Sequence, residues 1–375
     1  MPNLIALAIP FFLLLIGIEL WAARRKGVAA YRLNDAVVDL SSGILQQVFL
    51  VFWAAALIAV YVVVYERYRI ITFAAGSPWP WILAFVLVDF TYYWWHRLSH
   101  RVNFLWAAHV VHHQSEDYNL AVALRQSVAT VWTILPFHIP LALLGIPPLV
   151  FLTIDSLSTL YQFWIHTRLI GKLGWFELLF NTPAQHRVHH AVNPRYLDRN
   201  YAATMCIWDR MFGTFEEEAE EPVYGLVKPL DDFNPLWAQV HAFVELWRAA
   251  AAAPRVVDKL KVWLMPPTFR GPWLAPPSPS PPARETGSRY DPQLSARLSW
   301  WIFLQLSLAV IATTALLFYA ANLTLPQRLL AAALIVSTVA AAGGLIEKRR
   351  WALPLEVGRW AAALAAGALW WANAL

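Results

Sequence analysis

The sequence predicts an all-α, polytopic integral membrane bundle with a histidine-rich polar cap on one side. Three observations carry that prediction. The 375-residue chain is 59% hydrophobic and 14% charged, with a mean hydropathy of +0.46, whereas a soluble domain is about half apolar and about a quarter charged. Eight apolar stretches cross or nearly cross a hydrocarbon core of ~30 Å at 1.5 Å per residue. Eight of the eleven histidines fall in three windows of five residues, a crowding that scattered surface histidines do not produce.

The stretches lie at 4–21, 48–65, 80–95, 127–146, 149–165, 298–321, 329–346 and 360–372. The first carries its positive cluster, Arg24, Arg25 and Lys26, after the apolar run, so it reads as a retained anchor and not a cleaved signal. Arg24 to Lys26 and Arg32 place the following loop in the cytoplasm. Counting spans from there puts all three histidine windows and Lys348, Arg349 and Arg350 on the same side, with Arg67 and Arg69 opposing. Residues 1–265 read as one membrane domain. Residues 266–292 open with PPTFRGPWLAPPSPSPP and read as a semi-rigid linker, and 293–375 form a C-terminal group of three spans. The acidic run at 216–221 is expected to be a solvated loop. Cys206 is the only cysteine, which excludes an internal disulfide and a cysteine-rich cluster. The charge of +5 is spread among apolar spans, so it implies attraction to membrane lipids and gives no nucleic-acid surface.

The windows are HRLSH (His96, His100), HVVHH (His109, His112, His113) and HRVHH (His186, His189, His190). Residues three and four apart share a helix face, and neutral imidazole ligates iron, zinc and copper. Three converging faces exceed the four to six ligands of one ion, so more than one metal is expected. A zinc hydrolase of HExxH type fails, because Arg97 stands where the Glu base belongs. Carboxylate-bridged di-iron bundles fail for want of Glu-x-x-His pairs. An imidazole site that leaves the metal its charge suits a redox metal activating O₂ beside a lipid. Asp89, His96 and His100 are spaced by seven and four, as are Asp155, Gln162 and His166, and both sets return to one helix face. His166 is therefore a ninth candidate ligand. Asp89, Asp155 and Gln162 are expected to support ligands from behind, since an Asp inside an apolar span points to function. His138, between Pro136 and Pro140, reads as a core histidine, and His241 as peripheral.

The windows, together with HVVHHQSEDYNLAVALRQS, LYQFWIHT, FNTPAQHRVHHAVNPRYLDRNY, WDRMFGTFEEE and GLIEKRRWALPLEVGRW, resemble the membrane fatty acid hydroxylase/sterol desaturase superfamily, in particular its alkylglycerol-oxidising branch. The likeness spans nearly the whole chain. It implies a cytoplasmic di-iron cap held by His96, His100, His109, His112, His113, His186, His189 and His190, with His166 at a further matching position. It also implies hydroxylation by O₂ of the ether-linked carbon of a 1-O-alkylglycerol, with tetrahydrobiopterin as reductant, releasing a fatty aldehyde and a glycerol derivative. Animal members of that branch carry Glu directly after the first window, where this chain has Arg101. An Arg can bind a pterin carbonyl or a lipid phosphate but cannot accept pterin N–H bonds. A redox donor protein feeding a hydroxylase or desaturase of a sterol, fatty acyl or carotenoid chain is the alternative. The Ala-, Trp- and Arg-rich composition points to a bacterial inner membrane rather than endoplasmic reticulum.

Overall fold

A computed structural model describes residues 4–269, 271–273 and 289–374. Among the described residues every regular element is helical, apart from two isolated bridges, Phe180–Met205 and Ala191–Tyr224. The α-helices are α1 (Leu4–Arg25), α2 (Leu33–Tyr68), α3 (Trp79–Ser99), α4 (Asn103–His113), α5 (Thr130–Leu144), α6 (Pro148–Trp164), α7 (Pro183–His190), α8 (Ile207–Met211), α9 (Pro235–Ala252), α10 (Val256–Leu264), α11 (Ala296–Tyr319), α12 (Leu325–Ile346) and α13 (Ala352–Ala374). Among the described residues, four helical stretches are long and apolar enough to cross a membrane: Ile5–Arg25, Leu33–Tyr68, Ala296–Asn322 and Leu325–Ile346. Much of the interior of the expected linker, residue 270 and residues 274–288, lies outside the described residues.

The expected second span is the last half of a much longer helix. With 36 residues, α2 is about 54 Å long, well over a bilayer core. Its first four turns carry Asn34, Asp35, Asp39, Ser41 and Ser42, all buried, which lower the hydropathy without breaking the helix. That polar front sits in the cap, and the apolar remainder packs with α3, α5 and α6 around Tyr61, Ala84, Val88, Leu141, Ile146 and Phe151. Tyr61 donates to the Ile146 carbonyl at 3.0 Å, pinning the turn after α5. Gly145 makes that turn possible: its φ is +93°, and a Cβ there would lie 2.0 Å from the Ile71 carbonyl oxygen.

The C-terminal helices share a core with the rest. Ile302, Leu306 and Ala309 of α11 and Val339 and Ile346 of α12 pack with Val37, Val38 and Ile44 of α2 and Ala238 of α9. Gly343 lets α12 approach the start of α9, since a Cβ would meet the Phe233 carbonyl at 2.5 Å. Glu347, just past α12, accepts the Phe233 N–H and the Tyr290 hydroxyl. Segment 289–292 is clasped to the polar front of α2: Arg32 donates to the Tyr290 carbonyl, and Asn34 to Asp291 and Pro292.

The acidic run is the expected loop, exposed at Glu217, Glu220 and Glu221, with Glu218 turned inward. Glu218 pairs through both carboxylate oxygens with Arg187 of α7 at 2.6 Å, and Glu216, Glu217 and Glu221 pair with Arg195, Lys172 and Arg168. Arg187 is buried and also donates to the Thr167 and Ile170 carbonyls. A buried guanidinium needs a carboxylate and spare acceptors, so the acidic run closes over α7.

Candidate metal centre

Four elements deliver nine histidines. His96 lies on the last turn of α3 and His100 caps it. His109, His112 and His113 lie on α4, His166 follows α6, and α7 carries His186, His189 and His190. They form two groups, His96, His100, His109, His113 and His189, and His112, His166, His186 and His190, each with ligand atoms all within 4.8 Å of one another. The groups adjoin, with the His113 and His190 rings 4.5 Å apart and nearly parallel.

The two HxxHH windows interleave. At 100° per residue the first and last histidines lie 40° apart, while the middle one lies 60° to the other side. On α4 the first and last, His109 and His113, join the five-histidine group, and His112 joins the other. On α7 the assignment is reversed: His186 and His190 join the four-histidine group, and His189 crosses.

Hydrogen bonds fix the tautomers of four of these rings. His96 Nδ1 contacts the Tyr201 carbonyl at 2.8 Å, His189 Nδ1 that of Arg199 at 2.9 Å, His112 Nδ1 that of Arg125 at 3.0 Å and His166 Nδ1 that of Gln162 at 2.7 Å. A carbonyl only accepts, so Nδ1 carries the hydrogen in each ring and Nε2 presents a lone pair inward. The Nε2 atoms of His112 and His166 then face each other at 3.3 Å with no proton between them. Two lone pairs at that distance repel unless a cation lies beside them. In the other group the Nε2 atoms of His96, His100 and His189 are buried without any partner. Burial also depresses basicity, holding His112 down at about 4 and His189 at about 3, and His109, His113, His186 and His190 well below the usual imidazole value. Neutral rings with converging, unpartnered lone pairs fit metal ions.

The carbonyls that orient these rings are themselves held. Arg125, 3% exposed, donates to the Val111 carbonyl at the end of α4, to Asp39 of α2 and to Gln114. This fixes the backbone on which His112 rests. Asp198 and Asn200 adopt φ of +61° and +54°, a left-handed conformation that Asn and Asp tolerate better than most residues. The kinked chain thereby turns the carbonyls of Arg199 and Tyr201 onto two different histidines. Asn200 secures it by donating to Gln185 and Glu216 carbonyls and accepting the Glu216 N–H. Asp209 accepts the N–H groups of Tyr201 and Ala202.

The other expected site residues fall further out. Asp89 accepts from the N–H groups of Thr204 and Met205 and from the Trp208 indole. It thus steadies the segment carrying Tyr201 and contacts no histidine directly. Gln162 offers its backbone carbonyl to His166, while its side-chain amide donates to Ser158. Asp155 lies two turns from Gln162 on the wall of a cavity of about 460 Å³ and faces His138. Arg101 is half exposed and pairs with Asp198 at 3.2 Å. His241 is buried outside both groups, between Gln114 and the Ala238 carbonyl. The cavity reaches the metal centre at His109, His112 and His166 and is otherwise lined mainly by α1, α2, α5 and α6.

Comparison with known proteins bears on this geometry directly. The fatty acid hydroxylase family profile matches residues 81–214, the span that holds all nine histidines. Alkylglycerol monooxygenase of Homo sapiens is 43% identical over 281 residues, 74% of this chain and 61% of that protein. Alkylglycerol monooxygenase of Xenopus tropicalis is 38% identical over 369 residues, 96% of this chain and 80% of that protein. The Danio rerio protein of the same name is 36% identical, covering 96% of this chain and 81% of its own length. No solved structure matches. With both histidine groups inside the matched region and alignment along almost the whole chain, this protein belongs to the alkylglycerol monooxygenase family.

Proposed function

We propose that this protein is an O₂-dependent, di-iron lipid monooxygenase that hydroxylates the ether-linked carbon of 1-O-alkylglycerols. The observation that carries this reading is the placement of two adjoining histidine groups at one end of an otherwise largely apolar cavity. One ion per group gives two irons, held by His96, His100, His109, His113 and His189 and by His112, His166, His186 and His190. Bound iron would supply the O₂ activation that no side chain here can perform. One oxygen atom enters the C–H bond and the other leaves as water, with two electrons from the reductant. The hemiacetal then breaks its C–O bond to give a fatty aldehyde and the free glycerol hydroxyl.

The chain's own groups have separable tasks. Carbonyls 125, 162, 199 and 201 keep Nδ1 protonated and Nε2 free in four rings. Tight burial of the rings excludes water from the reacting carbon. The α1 and α2 walls, with Ile9, Phe12, Leu50 and Leu57, suit an alkyl chain. Tetrahydrobiopterin as reductant rests on the family relationship, and Arg101, accessible beside His100, is its proposed contact. A donor protein docking on the cap is the competing source of electrons.

The cap belongs, in this reading, to the cytoplasmic face of a bacterial inner membrane. Arg24, Arg25 and Arg32 flank it, as do Lys348 and Arg349, in keeping with the positive-inside rule. Residues 1–265 form the catalytic unit, with 266–292 linking it to the spans of 293–375. The deciding experiment supplies iron-loaded protein with an alkylglycerol, with and without tetrahydrobiopterin, and measures aldehyde. No aldehyde with either the pterin or a reconstituted electron-transfer chain overturns the substrate assignment.

A further inference from the structure

Resting on that reading, we infer that Asp155 and His138 form a subsite in the cavity wall that binds the glycerol hydroxyls of the substrate. His138 is 4% exposed, packs its ring edge against Phe151 at 5.0 Å, and leaves Nε2 buried without a hydrogen-bond partner. Asp155 on α6 interacts electrostatically with His138 and with Tyr92 of α3. All three line the cavity. A polar contact serving only to hold helices together would be satisfied within the protein, because an unmade buried hydrogen bond costs about 1–3 kcal/mol. Here Nε2 of His138 has no such partner, and both residues line the cavity, as expected where an intramembrane ionisable group marks a substrate path.

The spacing suits an alkylglycerol. Seven residues separate Asp155 from Gln162 and nine separate it from Trp164 at the end of α6, a rise of about 10–14 Å. Five bonds join the reacting carbon to the terminal glycerol oxygen, about 6 Å in extended form at the reach per bond of a main chain. Adding a near-attack separation of about 3 Å and a hydrogen bond of about 3 Å brings the total to about 12 Å. The reacting carbon then lies beside His112 and His166 while the hydroxyls reach Asp155 and His138. The alkyl tail leaves along Ile9, Phe12, Leu50 and Leu57.

The test compares hexadecylglycerol with hexadecyl methyl ether, which has the same ether carbon and no hydroxyl. Binding to full-length, iron-loaded protein is followed by tryptophan fluorescence, so the measurement does not depend on turnover. Asp155→Asn and His138→Gln should each weaken hexadecylglycerol binding by about tenfold or more, the usual cost of one lost hydrogen bond to a charged group. Neither should change methyl ether binding or iron content. Equal weakening for both ligands, or none for either, overturns the subsite. Should one variant fail to fold, the other decides. Tight, hydroxyl-dependent binding without aldehyde release would sink the proposed reaction and leave the subsite standing.

Discussion

Asn200 offers the sharpest test of how the metal centre is held. Its side chain makes three hydrogen bonds of 2.8–3.0 Å to backbone groups of Gln185 and Glu216, and its φ is +54°. Asn200→Gly keeps the left-handed backbone and loses the bonds, a cost of about 3 kcal/mol at about 1 each. Asn200→Ala adds about 1–2 kcal/mol, because Cβ disfavours positive φ. Either change loosens the Arg199 and Tyr201 carbonyls that orient His189 and His96, both in the five-histidine group. Losing such support typically lowers metal affinity 10–100-fold. Chelator competition, with Mössbauer spectroscopy to separate the two irons, should show the ion of the five-histidine group weakened by that factor, more in Ala than in Gly, and the other weakened less. Equal weakening of both ions, or a drop in melting temperature with both affinities intact, would refute the carbonyl argument.

Four further outcomes are expected. His112→Ala should abolish one bound ion and all activity, whereas His138→Ala should leave metal content intact; equal metal loss in both would erase the distinction between ligand and cavity residue. Arg125→Met strands the buried Asp39 carboxylate, costing about 3–5 kcal/mol, and Asp39→Leu in the same chain should restore much of the melting temperature. In metal-stripped protein, His112 and His189 titrate near 4 and 3 when folded and near 6.5 when unfolded. The unfolded chain therefore binds more protons below pH 6.5, and stability is full above that pH and falls as it drops toward 4 and then 3; a flat melting temperature from pH 7 to 4 would contradict this. Arg101→Glu should strengthen the response of aldehyde release to tetrahydrobiopterin if that position meets the pterin, and an unaltered response removes Arg101 from the cofactor site.

The metal groups were legible because their signal is local. Spacings of three and four residues set a helix face whatever surrounds it, so the windows could be read from the chain alone. The heptad from Asp155 misled: Asp155 lies by His138, and Gln162 meets His166 only through its backbone carbonyl. The supports of the windows were not legible, because they act across long separations through backbone atoms. Arg125 meets Asp39 of α2 over 86 positions, and the Tyr201 carbonyl meets His96 over 105. Carbonyls carry no residue identity, which is why the heptad pointing from Asp89 to His96 suggested direct support. Its carboxylate instead holds Thr204, Met205 and Trp208, and reaches the ring only through the chain that carries Tyr201. Two local cues were present: Asp35 and Asp39 four apart in the polar front of α2, and the turn-forming Asp198 and Asn200.

The interleaving of α4 and α7 has a consequence for how the two ions depend on each other. Each helix lends two histidines to one group and one to the other, so neither group can be assembled until both helices are docked. The docking itself is polar: Arg187 of α7 is tied to Glu218 and to the chain after α6, and Arg125 ties the end of α4 to α2. Among the nine rings, eight of them buried, several Nε2 atoms are unpartnered or face one another, each at a cost of order 1–3 kcal/mol. Metal binding relieves these costs in both groups at once, since a ring drawn in by one ion fixes the helix that carries ligands for the other. Filling one group should therefore raise affinity in the second, and this coupling follows from the HxxHH spacing repeated on two facing helices.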